Sequence, residues 1–268
     1  KPHLPFNPPK KYWDLYDRSK IAPATNPQPP RDGPAIALHN GRELLGAKGR
    51  KMTREEAIEL RHGYLAGISY LDAQVGKVLD ELDRLKLREN TIIVFWSDHG
   101  FHLGEHSLWC KTSNFELDAR VPLIIATPHA KHAGSKTKAL VELLDLYPTL
   151  VDLCDLPQPK GLDGKSLVPV LDDPQATVKP AAYTQHPRPA YYKGKPDAMG
   201  VSVRTPRFRY TEWRDFTTGR VLARELYDHD NDPQENRNVV ASPPGKAALK
   251  DASALLEKTF PRQGYSQK

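Results

Sequence analysis

The run "TIIVFW" at 91–96 restricts the possible folds more than any other part of this 268-residue chain. It is β-branched and apolar with no polar residue in alternation. That is the pattern of a strand covered on both faces, as in a parallel sheet between helices. "VPLIIAT" at 121–127 repeats it. A helix precedes the first run: Thr53 and Glu56 make a capping box, and Tyr64, Ile68, Leu71, Val75, Val78, Leu82 and Leu85 follow at spacings of four and three. This apolar stripe is expected to lie against the sheet as core packing, with Asn90 ending the helix. A second amphipathic segment, "ALVELLDLYPTLVDLC" at 139–154, contains Pro148, which should kink or split it. Helix, strand, strand, helix in that order implies a layered α/β domain.

The flanks differ in character. Up to about Lys51 the chain is rich in Pro and without period, which predicts a long wrapped loop. Beyond about residue 175, "AAYTQHP", "MGVSVRT", "FRYTEW" and "ARELYDH" are short β-rich runs, followed by a weak helix at 245–258. They predict a small antiparallel sheet with a packing helix. The expected division is 1–175, part of an α/β core, and 176–268, a small C-terminal α+β subdomain. No stretch approaches the ~18 consecutive apolar residues of a membrane span. The formal charge of +6 favours anionic partners. No basic helix, zinc-finger spacing or aromatic RNA-binding signature accompanies it, so nucleic acid is not expected. Two cysteines, Cys110 and Cys154, are too few for a disulfide scaffold.

The chemistry concentrates at 95–111, "FWSDHGFHLGEHSLWCK". In α/β sheets ligands bind beyond the carboxyl ends of strands, and Asp98 and His99 stand directly after "TIIVFW". Adjacent side chains of a strand point to opposite faces; Gly100 is expected to turn the backbone so that both converge. An Asp oxygen beside a His nitrogen suits a divalent cation. Glu105 and His106 are expected to hold the loop by hydrogen bonds.

"SDHGFHLGEHSLWCKTSNFE" resembles the second signature region of the sulfatases of the alkaline-phosphatase superfamily, in particular their iduronate-2-sulfatase branch. "KPHLPFNPPKKYWDLY", "GYLAGISYLDAQVGKVLDEL", "DLYPTLVDLC", "GLDGKSLVPVL", "YTQHPRP", "SVRTPRFRYTEW" and "ELYDHDNDPQENRNV" are similar to further segments of that family, in its order. The resemblance covers nearly the whole chain. It implies an alkaline-phosphatase-like α/β/α core, present in part, and a sulfuric ester hydrolase acting on a sulfated sugar. By the same resemblance Asp98 and His99 are metal ligands, usually for Ca2+, with Mg2+ or Zn2+ as alternatives. Lys111 would contact the sulfate. His3 would protonate the leaving alkoxide as a general acid. His102, Gln185 and Arg188 would line the substrate pocket, Gln185 and Arg188 selecting a carboxylated sugar. Lys1 lies beside His3 with no assigned role. Phe101-His102 after the metal pair, and Thr112 after the lysine, depart from the family pattern, so substrate choice is not copied from it.

The nucleophile of such enzymes is a formylglycine made from Cys or Ser in a C/S-x-P/A-x-R motif. Cys110 is followed by "KTSN" and Cys154 by "DLPQ", and no Ser fits. The paired aspartates that complete the metal site are likewise missing. The chain therefore reads as the C-terminal part of a larger enzyme, inactive alone, whose upstream portion would be its partner and carry the formylglycine. Family habit implies a periplasmic, extracellular or lysosomal location. Two other readings stay open: a phosphatase, phosphodiesterase or phosphonate hydrolase of the same superfamily, and a catalytically dead homologue that binds sulfated glycans.

Overall fold

The structure is a computed structural model that describes residues 3–46 and 50–265. Lys1 therefore lies outside the described residues. Residues 3–46 run mostly as loop, interrupted by single helical turns at Lys10–Trp13 and Arg42–Leu45. The long helix α1 spans Arg54–Arg84. Its capping box forms as expected: the Thr53 hydroxyl accepts from Glu56 N–H, and the Glu56 carboxylate from Thr53 N–H at 2.8 Å. The helix stops at Arg84 rather than at Asn90, and a separate 3-10 turn covers Arg88–Asn90.

The apolar stripe of α1 is only partly covered. Its buried residues are His62, Gly63, Ala66 and Gly67, while Val78 is 69% exposed. What α1 does pack is the N-terminal loop. Phe6 stands edge-on to Tyr64, Trp13 lies against His62, Tyr12 tilts onto Tyr70, and Tyr16 shares a hydrogen bond with Ser69. The loop that carries His3 is thus tied to the scaffold by aromatic burial.

The strands β1 (Ile93–Trp96) and β4 (Leu123–Ala126) pair with each other, but antiparallel, Ile93 facing Ala126 and Trp96 facing Leu123. The expectation of parallel strands buried on both faces is corrected: Trp96 is 50% and Ile124 59% exposed. Two apolar runs specify burial potential but no direction, since a segment of 24 residues allows either pairing. Between them β2 (His102–Leu103) and β3 (Trp109–Cys110) form a two-stranded ribbon. Helix α2 occupies Leu146–Leu153 and places Pro148 in its first turn, where a missing N–H leaves no intrahelical bond unmade.

The four β-rich runs of the C-terminal region become β5 (Ala182–Arg188), β6 (Ala198–Arg204), β7 (Phe208–Asp215) and β8 (Val221–Asp228). They form an antiparallel meander of order β5-β6-β7-β8. Strand alternation gives it two working faces. Val201, Val203, Tyr210 and Leu226 pack on Ala252 and Leu256 of helix α3 (Pro243–Thr259). Trp213 and Tyr227 point the other way and form a core with Ala37, Leu108 and Phe115. This second face holds the loops that carry the candidate site.

Candidate active site

Asp98 and His99 leave the end of β1 in a tight turn. The Asp98 Oδ1 accepts from its neighbour's N–H at 3.1 Å, and Ser97 Oγ donates to the His99 carbonyl at 2.8 Å. His99 Nδ1 lies 2.7 Å from the Gly100 carbonyl and so carries the proton. Nε2 then keeps its lone pair, and it sits 3.7 Å from Asp98 Oδ2. Two ligands held ~2.4 Å from one cation at roughly 100° are separated by about this distance. The tautomer, the spacing and the 84% exposure of the Asp98 side chain fit a divalent ion that enters from solvent. The pair supplies two ligands only. Among the described residues the grouping of three or more potential metal ligands is a different one, Glu116, His229 and Glu235.

Gly100 is required here for space rather than for a turn. Its N–H donates to the Asp118 carbonyl at 2.8 Å, and the next N–H, of Phe101, to Leu117 at 3.0 Å. A Cβ at Gly100 would meet Leu117 O at 1.8 Å. The loop after Asp98 and His99 is pressed onto the single-turn helix Glu116–Ala119, and only glycine permits that approach.

Lys111 follows β3 between two residues with left-handed backbone, Cys110 at φ 72° and Thr112 at φ 87°. These conformations are strained for non-glycine residues and aim the intervening side chain. Its ammonium comes within 3.3 Å of His3 Nε2, although 108 positions separate the two. Both converge on Glu43, whose Oε1 accepts from Lys111 Nζ at 2.5 Å and lies 3.1 Å from His3 Nε2. Tyr191 donates to the other oxygen at 3.1 Å. Desolvation works to raise the Glu43 carboxyl, but Lys111 leads the contacts that hold it below its ordinary range. A ring series, His99 to Phe101 at 6.5 Å and Phe101 to Phe6 at 5.8 Å, links His99 to the loop that carries His3.

The three remaining expected substrate contacts are corrected. His102 is 0% exposed; its Nδ1 pairs with Asp118 at 2.9 Å, and Asp118 also accepts from Ser113 N–H and Oγ. An imidazole so enclosed presents nothing to a ligand. Arg188 is buried too, stacked 4.6 Å from the Trp213 ring centre. Its guanidinium donates to the carbonyls of Ile36, Ala37, Leu38 and Thr112, not to any carboxylate. It positions the strand end that bears Lys111. Gln185 faces the wrong way: it pairs with Val201, which packs on α3, so the alternation of β5 turns Gln185 to the helix side.

The neighbour of Gln185, His186, points inward instead. Burial, aided by the Arg188 charge, takes its imidazole down to about 4, while Asp118 pulls the other way. His39, beside the same arginine, is lowered to about 4 mainly by burial. Glu105 and His106 hold the loop: Glu105 accepts from Arg61 and Leu103 N–H, and His106 donates to the Gln234 carbonyl. Cys110 is buried, and desolvation pushes its thiol up to about 12, so it is no nucleophile. Sequence reasoning missed Glu43, Tyr191 and His39. His39 and Tyr191 stand in loops and Glu43 in the single helical turn Arg42–Leu45, all too short for a spacing to mark them.

The sulfatase family profile matches residues 1–156, and that of the N-sulphoglucosamine sulphohydrolase C-terminal region matches 104–260. The chain belongs to the sulfatase family. Iduronate 2-sulfatase of Mus musculus is 33% identical over 89% of this chain and 56% of its own length. Phosphonate monoester hydrolase from Silicibacter pomeroyi superposes at TM-score 0.79 with 26% identity, over 98% of this chain and 55% of that one. A structure in complex with its substrate D-glucosamine-2-N,6-O-disulfate superposes at 0.77 with 23% identity, over 100% and 64%, a likeness of fold. The sulfatase fold is thus α/β and alkaline-phosphatase-like. The chain spans about half the length of the curated relatives it matches.

Proposed function

We propose that the chain forms the C-terminal part of a sulfuric ester hydrolase acting on a sulfated sugar, with iduronate 2-sulfate-type esters as the substrate class. The observation that carries this reading is the convergence of Lys111 and His3, 108 residues apart, at 3.3 Å. An ammonium beside an imidazole suits an anionic ester whose leaving oxygen must be protonated. Lys111 steadies the sulfate oxygens as charge shifts onto them, and His3 delivers the proton to the departing alkoxide. Asp98 and His99 would hold a divalent cation, calcium by family habit. When bound, that ion supplies positive charge to the sulfate. The nucleophile, a formylglycine, and the remaining metal ligands would come from residues upstream of Lys1. On this reading 1–175 belongs to the α/β core, and 176–268 supports it through the Trp213 face.

The test is hydrolysis of an aryl sulfate by the full-length enzyme. Asp98→Ala and Lys111→Ala are each expected to lower kcat/KM by at least roughly 100-fold; wild-type turnover in either variant would refute the assignment. A second reading, phosphonate or phosphate ester hydrolysis, draws on the likeness to the phosphonate monoester hydrolase. A higher kcat/KM for an aryl phosphonate monoester than for the matched sulfate would favour it.

A further inference from the structure

We propose that Glu43 is a positioning residue that seats Nε2 of His3 and the ammonium of Lys111 as one unit; this rests on the sulfatase reading above. The two side chains reach the site from segments 108 positions apart in the chain. What brings them together is a shared acceptor, Glu43 Oε1, at 2.5 Å from Lys111 Nζ and 3.1 Å from His3 Nε2. The carboxylate is itself restrained, because Tyr191 donates to Oε2 at 3.1 Å. The Lys111 and Glu43 side chains are only 18% and 19% exposed, so water screens the pair weakly.

The consequence for His3 is specific. Its Nδ1 lies 2.9 Å from the Leu4 carbonyl, and a carbonyl can only accept. Nε2, on the other side of the ring, stands between the Glu43 carboxylate at 3.1 Å and the Lys111 ammonium at 3.3 Å, so the carboxylate fixes where that nitrogen sits. A carboxylate that fixes the position of a catalytic imidazole acts by geometry, without touching substrate. Its loss should therefore be felt where the leaving group needs a proton, and much less where it does not.

The experiment compares the full-length enzyme with its Glu43→Gln and Tyr191→Phe variants on two esters, a sugar sulfate that departs as an alkoxide and 4-nitrophenyl sulfate, whose stabilised phenolate leaves unaided. Glu43→Gln is expected to lower kcat for the sugar ester at least roughly 10-fold more than for the aryl ester, with Tyr191→Phe changing both in the same sense and less. Equal losses on both esters would mean a merely structural role and overturn the proposal. A second readout needs no turnover. In thermal melts, Glu43→Ala and Lys111→Ala should be non-additive, the double variant melting close to the worse single one. Additive losses would show that the two do not act as a unit and would also overturn it. An aryl sulfate left untouched by the wild type, with non-additive melts, would instead sink the sulfatase reading and leave the Glu43 contact standing.

Discussion

Glu225 offers the sharpest test of how this fold treats buried charge. The carboxyl is enclosed at the centre of β8, accepting from Trp213 Nε1 and Tyr227 Oη at 2.7 Å each. Burial pushes it from its ordinary 4.5 up to about 7, against those two donors. Between these values the folded state keeps a proton that the unfolded chain has released. Stability must then fall as pH rises through that window, at about 1.4 kcal/mol per pH unit. Over the full interval the ionisation of Glu225 removes about 3 kcal/mol. Glu225→Gln abolishes the titration while keeping an oxygen for one of the two donors. Any loss of hydrogen-bond strength in the variant is a constant offset; the pH dependence of the difference is what counts. Urea unfolding followed by tryptophan fluorescence, with Trp213 bonded directly to the carboxylate, should show the variant gaining about 3 kcal/mol on the wild type between pH 4.5 and 7.5. In melting temperature this is a relative swing of roughly 6–12 °C. All other titrating groups are common to both proteins and cancel. Parallel curves across this range would refute the argument, and with it the assignment of Glu225 as an uncompensated buried acid.

The two inward histidines act with the opposite sign. His39 and His186 resist protonation down to about 4, whereas the unfolded imidazole charges below ~6.5; each should destabilise the protein progressively as pH falls from 6.5 to 4. His186→Gln should flatten that acid limb by up to about 1.4 kcal/mol per pH unit in the same urea titration. Gly100→Ala cannot be accommodated beside Leu117 O and should cost about 3 kcal/mol or more in unfolding free energy; a loss under 1 kcal/mol would contradict the close approach. Arg188→Lys retains charge but cannot reach four carbonyls at once, so a loss of about 2–4 kcal/mol is expected, measured by the same denaturation. If the metal pair binds as drawn, millimolar calcium should raise the melting temperature of the wild-type enzyme and leave that of Asp98→Ala unchanged.

Local pattern and tertiary path contributed different parts of this molecule. The Thr53–Glu56 cap, the four β-rich runs after residue 180 and the Asp98-His99 pair at a strand end could all be read directly, because each depends on residues within a few positions of one another. The same local logic failed where direction or facing was decided at a distance. "TIIVFW" and "VPLIIAT" announce strands, yet their antiparallel pairing is set by the path of the chain between them. Gln185 and His186 are adjacent letters of one run, and only the register of β5 on β6 says which turns toward the site. His102, close to Asp98 and His99 in sequence, is drawn inside by Asp118. Glu43 shows the limit most plainly. A carboxylate in an isolated helical turn looks like any solvated acid until folding sets it against Lys111, 68 positions away. Hydrophobic period and capping are short-range physics written in the order of residues. Charge pairing between loops is long-range, and it exists only once the chain has closed on itself.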